Sequence, residues 1–264
     1  MPSDLDFIKA TAGLRDLGGQ RVWSLMISLF GDLAQDEGQA IDGPVLSAMM
    51  ALLQVKPEAT RVALHRLRND GWVASKKAGR ISRHSLTAQG RAECAAASPR
   101  IYADPGSAPT DWQFVLLEHS DSTTNAQMID LGYIQVQPRL FAGPSDAVLP
   151  DGPLVLRANT APHWLREQIA PDQLRRGYGD LLHVLETFEG MLPPEPMPSP
   201  LEVAVLRGLI VHNWRRLVLK HPPLPQPLVA DDWPGRPCHH RIAALLDRFP
   251  RPALSEIEPR RDAA

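Results

Sequence analysis

Residues 44–91, PVLSAMMALLQVKPEATRVALHRLRNDGWVASKKAGRISRHSLTAQGR, constrain the fold more than any other stretch of this 264-residue chain. Their spacing predicts a helix over Pro44–Leu53, with proline at a first-turn position where a missing N–H costs nothing. Gln54–Lys56 form a turn. A second helix opens at Pro57, carries Glu58 in its first turn where the helix dipole favours a carboxylate, and ends before Gly71. Trp72–Lys76 and Ile81–Leu86 then read as two strands joined by KAGR. Helix, turn, helix and basic hairpin in this order are the sequence form of a winged helix-turn-helix.

The second helix divides into two faces. Ala59, Val62, Ala63 and Leu67 fall at helical spacing and are expected to pack inward. Glu58, Arg61, His65 and Arg68 share the opposite face, which carries long hydrogen-bonding side chains of the kind that reach base edges in a major groove. Arg61, His65 and Arg68 are assigned to base edges and Thr60 to either bases or backbone. Arg66, Lys76, Lys77, Arg80 and Arg83 are assigned to phosphates. Residues 56–91 hold nine basic and two acidic side chains in a chain whose formal net charge is −2. A local excess of +7 on an acidic protein is what phosphate binding requires.

The remaining segments suggest an α+β, multidomain chain. Residues 1–19 are polar and expected to fray. Arg21–Gln35 form a strongly apolar helix with Ser24, Ser28 and Asp32 as a narrow polar strip. Thr87–Ala97 form a connecting helix, which SPRIYADPGSAPTD breaks, suggesting a domain boundary near residue 100. Residues 111–160 change period. WQFVLLEH is a buried strand, Ser122–Leu131 a short helix, GYIQVQPRLFAG a strand interrupted at Pro138, and GPLVLRANT a third strand, which together suggest a ferredoxin-like layer. Helical spacing returns at His163–Ile169 and Leu174–Glu189, with Trp164, Leu165, Tyr178, Leu181, Leu182, Leu185 and Phe188 as apolar stripes. Helices over Leu201–Lys220 and His239–Phe249 follow, separated by a proline-rich connector. The domains expected are 20–98, 110–160 and 161–250.

Several chemistries find no support. Glu118, His119, Asp121 and Asp130 have no metal-ligand spacing, and the adjacent Cys238, His239 and His240 point in different directions on a helix. There is no nucleophile elbow, phosphate-cradling glycine loop or His-Glu-x-x-His, so no catalytic residue, metal or cofactor is assigned and the chain is not expected to be an enzyme. The competing reading is an enzyme acting on nucleic acid or on a CoA thioester, positioned by the winged helix. Two distant cysteines, no membrane-length apolar run and an N-terminus unlike a signal peptide point to a reducing cytoplasm and no membrane partner.

LFGDL, TRVALHRLRNDGW, the following GR and LTAQGR, LGYIQVQPRLFAGP, and LRGLIVHNWRRLVLKHPPLPQPLVADDWPG together resemble the PaaX-like transcriptional repressors of phenylacetate catabolism in bacteria, over about residues 20–249. The last segment is the most specific: Arg207, His212, Trp214, Arg215, Leu224, Pro225 and Asp232–Gly235 keep the family's order and spacing. His84 stands where the family often has tyrosine, and HPPLP replaces an acidic start. The resemblance implies an N-terminal winged helix, a central ferredoxin-like (Cas2-like) domain and a C-terminal helical domain. It also implies a homodimer on a palindromic double-stranded operator, released by an aryl-CoA or acyl-CoA thioester such as phenylacetyl-CoA. Arg207, His212, Arg215 and Arg216 are the effector candidates, because an arginine fork matches phosphate oxygens. The alternative is that this row pins its helix to the central domain through buried hydrogen bonds.

Overall fold

The computed structural model describes residues 4–259 except 18, 20, 108, 109, 151, 158, 159 and 193–197. The chain divides into two compact units. One comprises Met1–Tyr102, Leu181–Arg215 and Arg241–Ala264, and the other Ala103–Asp180 and Arg216–His240.

In the first unit, α1 (Asp4–Ala10) and α2 (Ala12–Asp16) precede α3 (Val22–Leu33). The expected fraying does not extend over residues 4–16, where Phe7 and Leu14 are buried and Asn213 donates a hydrogen bond to the Leu14 carbonyl at 2.8 Å; residues 1–3, where the fraying was expected to begin, lie outside the described residues. The short strand β1 (Ile41–Asp42) leads into α4 (Gly43–Leu52). Gln54, with φ of 59°, turns the chain into α5 (Pro57–Asn69), and Gly71, with φ of 75°, terminates that helix. Strands β2 (Val73–Ala78) and β3 (Ile81–Leu86) form a hairpin, and β1 pairs with β3 to complete a three-stranded antiparallel sheet ordered β1-β3-β2. The hairpin loop is only Gly79–Arg80, because Ala78 pairs with Ile81. Gly79 has φ of 61°, as the first loop position of a tight hairpin demands.

Helix α6 (Ala88–Ile101) is capped by the Thr87 hydroxyl, which accepts from the Gly90 N–H at 3.0 Å. It runs through Pro99 and past the break expected near Ala97. Proline there removes one hydrogen bond in the last turn, while the helix end is held from outside: the Trp214 indole donates to the Ile101 carbonyl at 2.9 Å.

In α5, Ala63 and Leu67 are buried and Thr60 and Leu64 half-buried, so the helix packs α3 and α4 along that line. Val62 is not part of it. Against expectation its side chain is 70% exposed.

The second unit contains β4 (Trp112–Leu116), α7 (Ser122–Asp130), β5 (Ile134–Gln137), β6 (Leu140–Pro144) and β7 (Leu154–Leu156). The strands form one antiparallel sheet ordered β5-β6-β4-β7. The single interrupted strand expected around Pro138 is a hairpin, turned by Pro138 and by Arg139 with φ of 71°. Arg139 is fixed by long-range bonds: its carbonyl accepts from the Leu117 N–H at 2.8 Å and its guanidinium donates to the Glu118 carbonyl at 2.9 Å. One side of the sheet buries Val115, Met128, Tyr133 and Phe141. The other buries Trp112, Val136 and Ala142 against α8 (His163–Ile169). Leu165 and Ile169 make that contact, whereas Trp164, expected in the apolar stripe, is 60% exposed.

The remaining helices are α9 (Asp172–Met191), α10 (Pro200–Val218) and α11 (Gly235–Arg248). Buried α10 crosses α3 so closely at Gly208 that a Cβ there would lie 2.3 Å from the Leu29 side chain.

Candidate nucleic-acid interface

Helix α5 presents Glu58, Arg61, His65, Arg66 and Arg68 to solvent. The ties among them are local. Arg61 lies 3.7 Å from Glu58, with side chains 76% and 72% exposed, so the pair contributes little to stability. His65 shares a 3.3 Å hydrogen bond with Asn69. Arg66 meets Asp70 at 3.3 Å, and its guanidinium lies 4.6 Å from the centre of the Trp23 ring on α3. That stacking orients Arg66 to one side of the face. Thr60 is half-buried and donates back to the Lys56 carbonyl at 3.3 Å, which leaves it at the margin of the exposed face.

The hairpin adds exposed Lys76, Lys77, Arg80 and Arg83. Lys76 stands directly opposite Arg83 across the strands, a like-charge pairing that works against the sheet. Asp42 relieves it, accepting from Arg83 Nε at 2.9 Å. Beneath the hairpin, buried His84 shares a 2.8 Å hydrogen bond with the Ser75 hydroxyl. Burial and the Arg68 charge both hold the His84 imidazole below its ordinary pKa, with Asp42 opposing them. The outer surface therefore concentrates cations while the layer beneath stays neutral. Such a surface suits a polyanion.

The second set of candidates lies on α10, where it is organised quite differently. Arg207 grips Asp32 of α3 with both ends of its fork, Nε to Oδ2 and Nη2 to Oδ1, each at 2.9 Å. Both side chains are almost fully buried. The remaining Arg207 amine donates to the carbonyls of Leu246 and Phe249 at the end of α11, at 3.1 and 2.8 Å. Tyr102 donates to Asp32 at 2.7 Å and Arg251 lies 3.5 Å from it. Burial and the Asp32 charge push the Tyr102 hydroxyl well above its ordinary range. Buried His212 shares a 3.2 Å hydrogen bond with Ser28, and half-buried Arg215 reaches Ser24 at 3.5 Å. Burial lowers the Arg215 pKa and raises that of neighbouring Cys94.

Ser24, Ser28 and Asp32 on α3 thus meet Arg215, His212 and Arg207 on α10 as successive rungs between antiparallel helices. The polar strip seen in the α3 sequence is a buried seam, and its partner is α10. Arg216, also on α10, is half-buried. Asp32 and Asp42 were not singled out from sequence as partners of Arg207 and Arg83. The one available signal was the i, i+4 repeat of polar side chains at 24, 28 and 32 on an otherwise apolar helix.

Among the described residues no three His, Cys, Asp or Glu side chains converge on a possible metal position, and no helix is long and apolar enough to cross a membrane.

Comparison with known proteins bears on both sets. The family model for PaaX-like protein matches residues 21–90, which hold α3 to β3, and that for the PaaX-like protein C-terminal domain matches residues 170–255. Together they cover more than half the chain. The transcriptional repressor PaaX of Escherichia coli strain K12 is 27% identical over 259 residues, covering 89% of this chain and 82% of the relative. Both matched segments fall where the notable residues of α5, the hairpin and α10 lie: the chain belongs to the PaaX-like protein family.

Proposed function

We propose that this chain is a DNA-binding transcriptional repressor whose N-terminal segment is a winged helix-turn-helix. The observation that carries the reading is the exposed cationic surface made by α5 and the β2–β3 hairpin, set on a chain of net negative charge. Helix α5 takes the recognition role, with Arg61, His65 and Arg68 towards base edges. Arg66, Lys76, Lys77, Arg80 and Arg83 take phosphates, and Thr60 the groove margin. The like-charge pairing of Lys76 with Arg83 fits this role, since a phosphate between them would turn a repulsion into an attraction. The relative's name, a transcriptional repressor, supports the same reading.

The central sheet supports a ferredoxin-like assignment for residues 110–160. Numbered from β4, its order is 2-3-1-4, which read backwards is that fold's order, with no described helix between β6 and β7. The finer functional proposal is a homodimer on a palindromic operator, released by an aryl-CoA or acyl-CoA thioester such as phenylacetyl-CoA. Of the four α10 candidates, Arg207 and His212 are committed to buried partners. Arg215 and Arg216 are the two with accessible surface for an anionic ligand.

The test is fluorescence anisotropy of the purified protein on DNA flanking its own gene, with and without phenylacetyl-CoA. The proposal expects tight, salt-sensitive binding reversed by the thioester. Binding untouched by the thioester would retain the repressor and remove this effector. No binding at low salt would overturn the reading.

A further inference from the structure

Val62 sits near the middle of the outward face of α5. By helical spacing its neighbours on that face are Glu58 one turn before it, His65 and Arg66 one turn after it, and Asn69 two turns after it. At 70% exposure it is far more open to water than any other large apolar side chain among the described residues up to Tyr102, the next being Ile81 and Tyr102 at 36% each. A β-branched side chain is also a poor choice for an exposed helix position, where alanine, lysine or glutamate would favour the helix more. Among the described residues of the first unit little covers this methyl pair: Glu58, His65, Arg66 and Asn69 around it are exposed and polar or charged, and its one apolar neighbour at helical spacing, Ala59, is half-buried at the edge of the face.

Resting on the DNA-binding reading, we infer that Val62 is a specificity-determining residue that seats against a thymine methyl group in the major groove. Of the four bases only thymine carries an apolar group on its major-groove edge, and small apolar side chains are its natural contacts. Charge selects duplex DNA over a protein as the occupant. Arg66 lies one turn from the valine, Arg61 and Arg68 are exposed further round α5, and Lys76, Lys77 and Arg80 add exposed cations on the hairpin. A second copy of the same face would bring like charges together, which opposes association. A phosphate backbone neutralises the same charges while the groove admits the helix. Val62 then distinguishes thymine from cytosine at a position flanked by bases read by arginine or histidine.

The experiment starts from a random duplex library long enough for two half-sites, selected on the full-length protein. The enriched sequence is remade with deoxyuridine at one thymine position at a time, which removes the methyl and keeps every hydrogen-bonding group. Wild-type protein is expected to lose about fourfold in affinity for the methyl in contact, from the transfer value of one buried methylene. Val62→Ala is expected to bind the thymidine and deoxyuridine versions alike, with the same melting temperature as wild type. Loss of sequence selection altogether would overturn the DNA-reading proposal itself. Selection that succeeds while no deoxyuridine substitution affects the wild type would overturn only the role of Val62. So would an equal loss in Val62→Ala, or a change in oligomeric state caused by that substitution.

Discussion

Two helices of this protein carry rows of arginine and histidine at helical spacing, and the rows have opposite fates. On α5 the guanidinium groups are exposed; their ion pairs reach only near neighbours, over distances of 3.3–3.7 Å at Asp70 and Glu58, and Arg66 also stacks on Trp23 of α3. On α10, Arg207 is sealed from water and every one of its donor nitrogens is engaged. A charge in water can be exchanged for a phosphate at small cost. A charge held bidentately in the core can leave its partner only by exposing a buried carboxylate. The same side chain is therefore available for recognition in one row and committed to architecture in the other. What separates them is the strip they face: solvent in one case, the serines and aspartate of α3 in the other.

The sharpest way to break this contrast is to remove one member of the buried pair. Asp32→Ala should destabilise the protein by about 3–5 kcal/mol, because Arg207 keeps its burial and loses its counter-ion. Urea denaturation measures this, and a loss near that of a surface pair would show that the seam is not holding the unit. Arg61→Ala or Arg68→Ala should leave the denaturation midpoint unchanged and cost about 1–3 kcal/mol of discrimination between the selected duplex and a scrambled one. Equal loss on both duplexes would remove these residues from base reading. The double change Lys76→Ala with Lys77→Ala should weaken binding to all sequences. It should also reduce the slope of log K against log salt by about two if each lysine meets one phosphate.

The smallest expected effect lies beneath the hairpin. His84 has a folded-state pKa below its unfolded value, so the unfolded chain binds more protons between the two values and stability rises with pH there. The contribution is complete above the unfolded value, about 6.5, and shrinks as pH falls below it. His84→Gln should flatten this part of the pH–stability curve. Some slope will persist, because burial also lowers the pKa of His239.

The two helices and the hairpin of residues 43–86 were legible in sequence because their signals are local. Pro57 and Gly71 bound α5, Gly79 sets the hairpin loop, and the charges cluster within one short stretch. The misreadings arise where a distant contact decides. Val62 lies on the same side as Ala59 by count, but the line that meets α3 and α4 passes through Ala63 and Leu67, about 100° further round the helix. Residues 4–16 look polar and end up docked through the backbone of Leu14 to Asn213. The Pro138–Arg139 turn lacks the glycine that announces a hairpin, and Arg139 keeps its positive φ through bonds made with residues 117 and 118. The identity of the α10 candidates was visible, but their partners on α3 stand some 175–191 positions earlier in the chain.

That separation bears on how the protein is made. A ribosome delivers α3, α5 and the hairpin long before it delivers α10 and the end of α11. Until then Asp32 has no Arg207, and the seam that α3 buries in the finished protein lies open on the nascent chain. Segments 181–215 and 241–264 complete the unit that residues 1–102 begin. Domains fold as units during synthesis, so the N-terminal segment would wait for its closing pieces. A truncated chain ending near residue 102 would carry every residue assigned to DNA and still lack the groups that neutralise its buried aspartate. Such a fragment would keep the exposed cations of α5 and the hairpin while leaving the polar seam of α3 open to water.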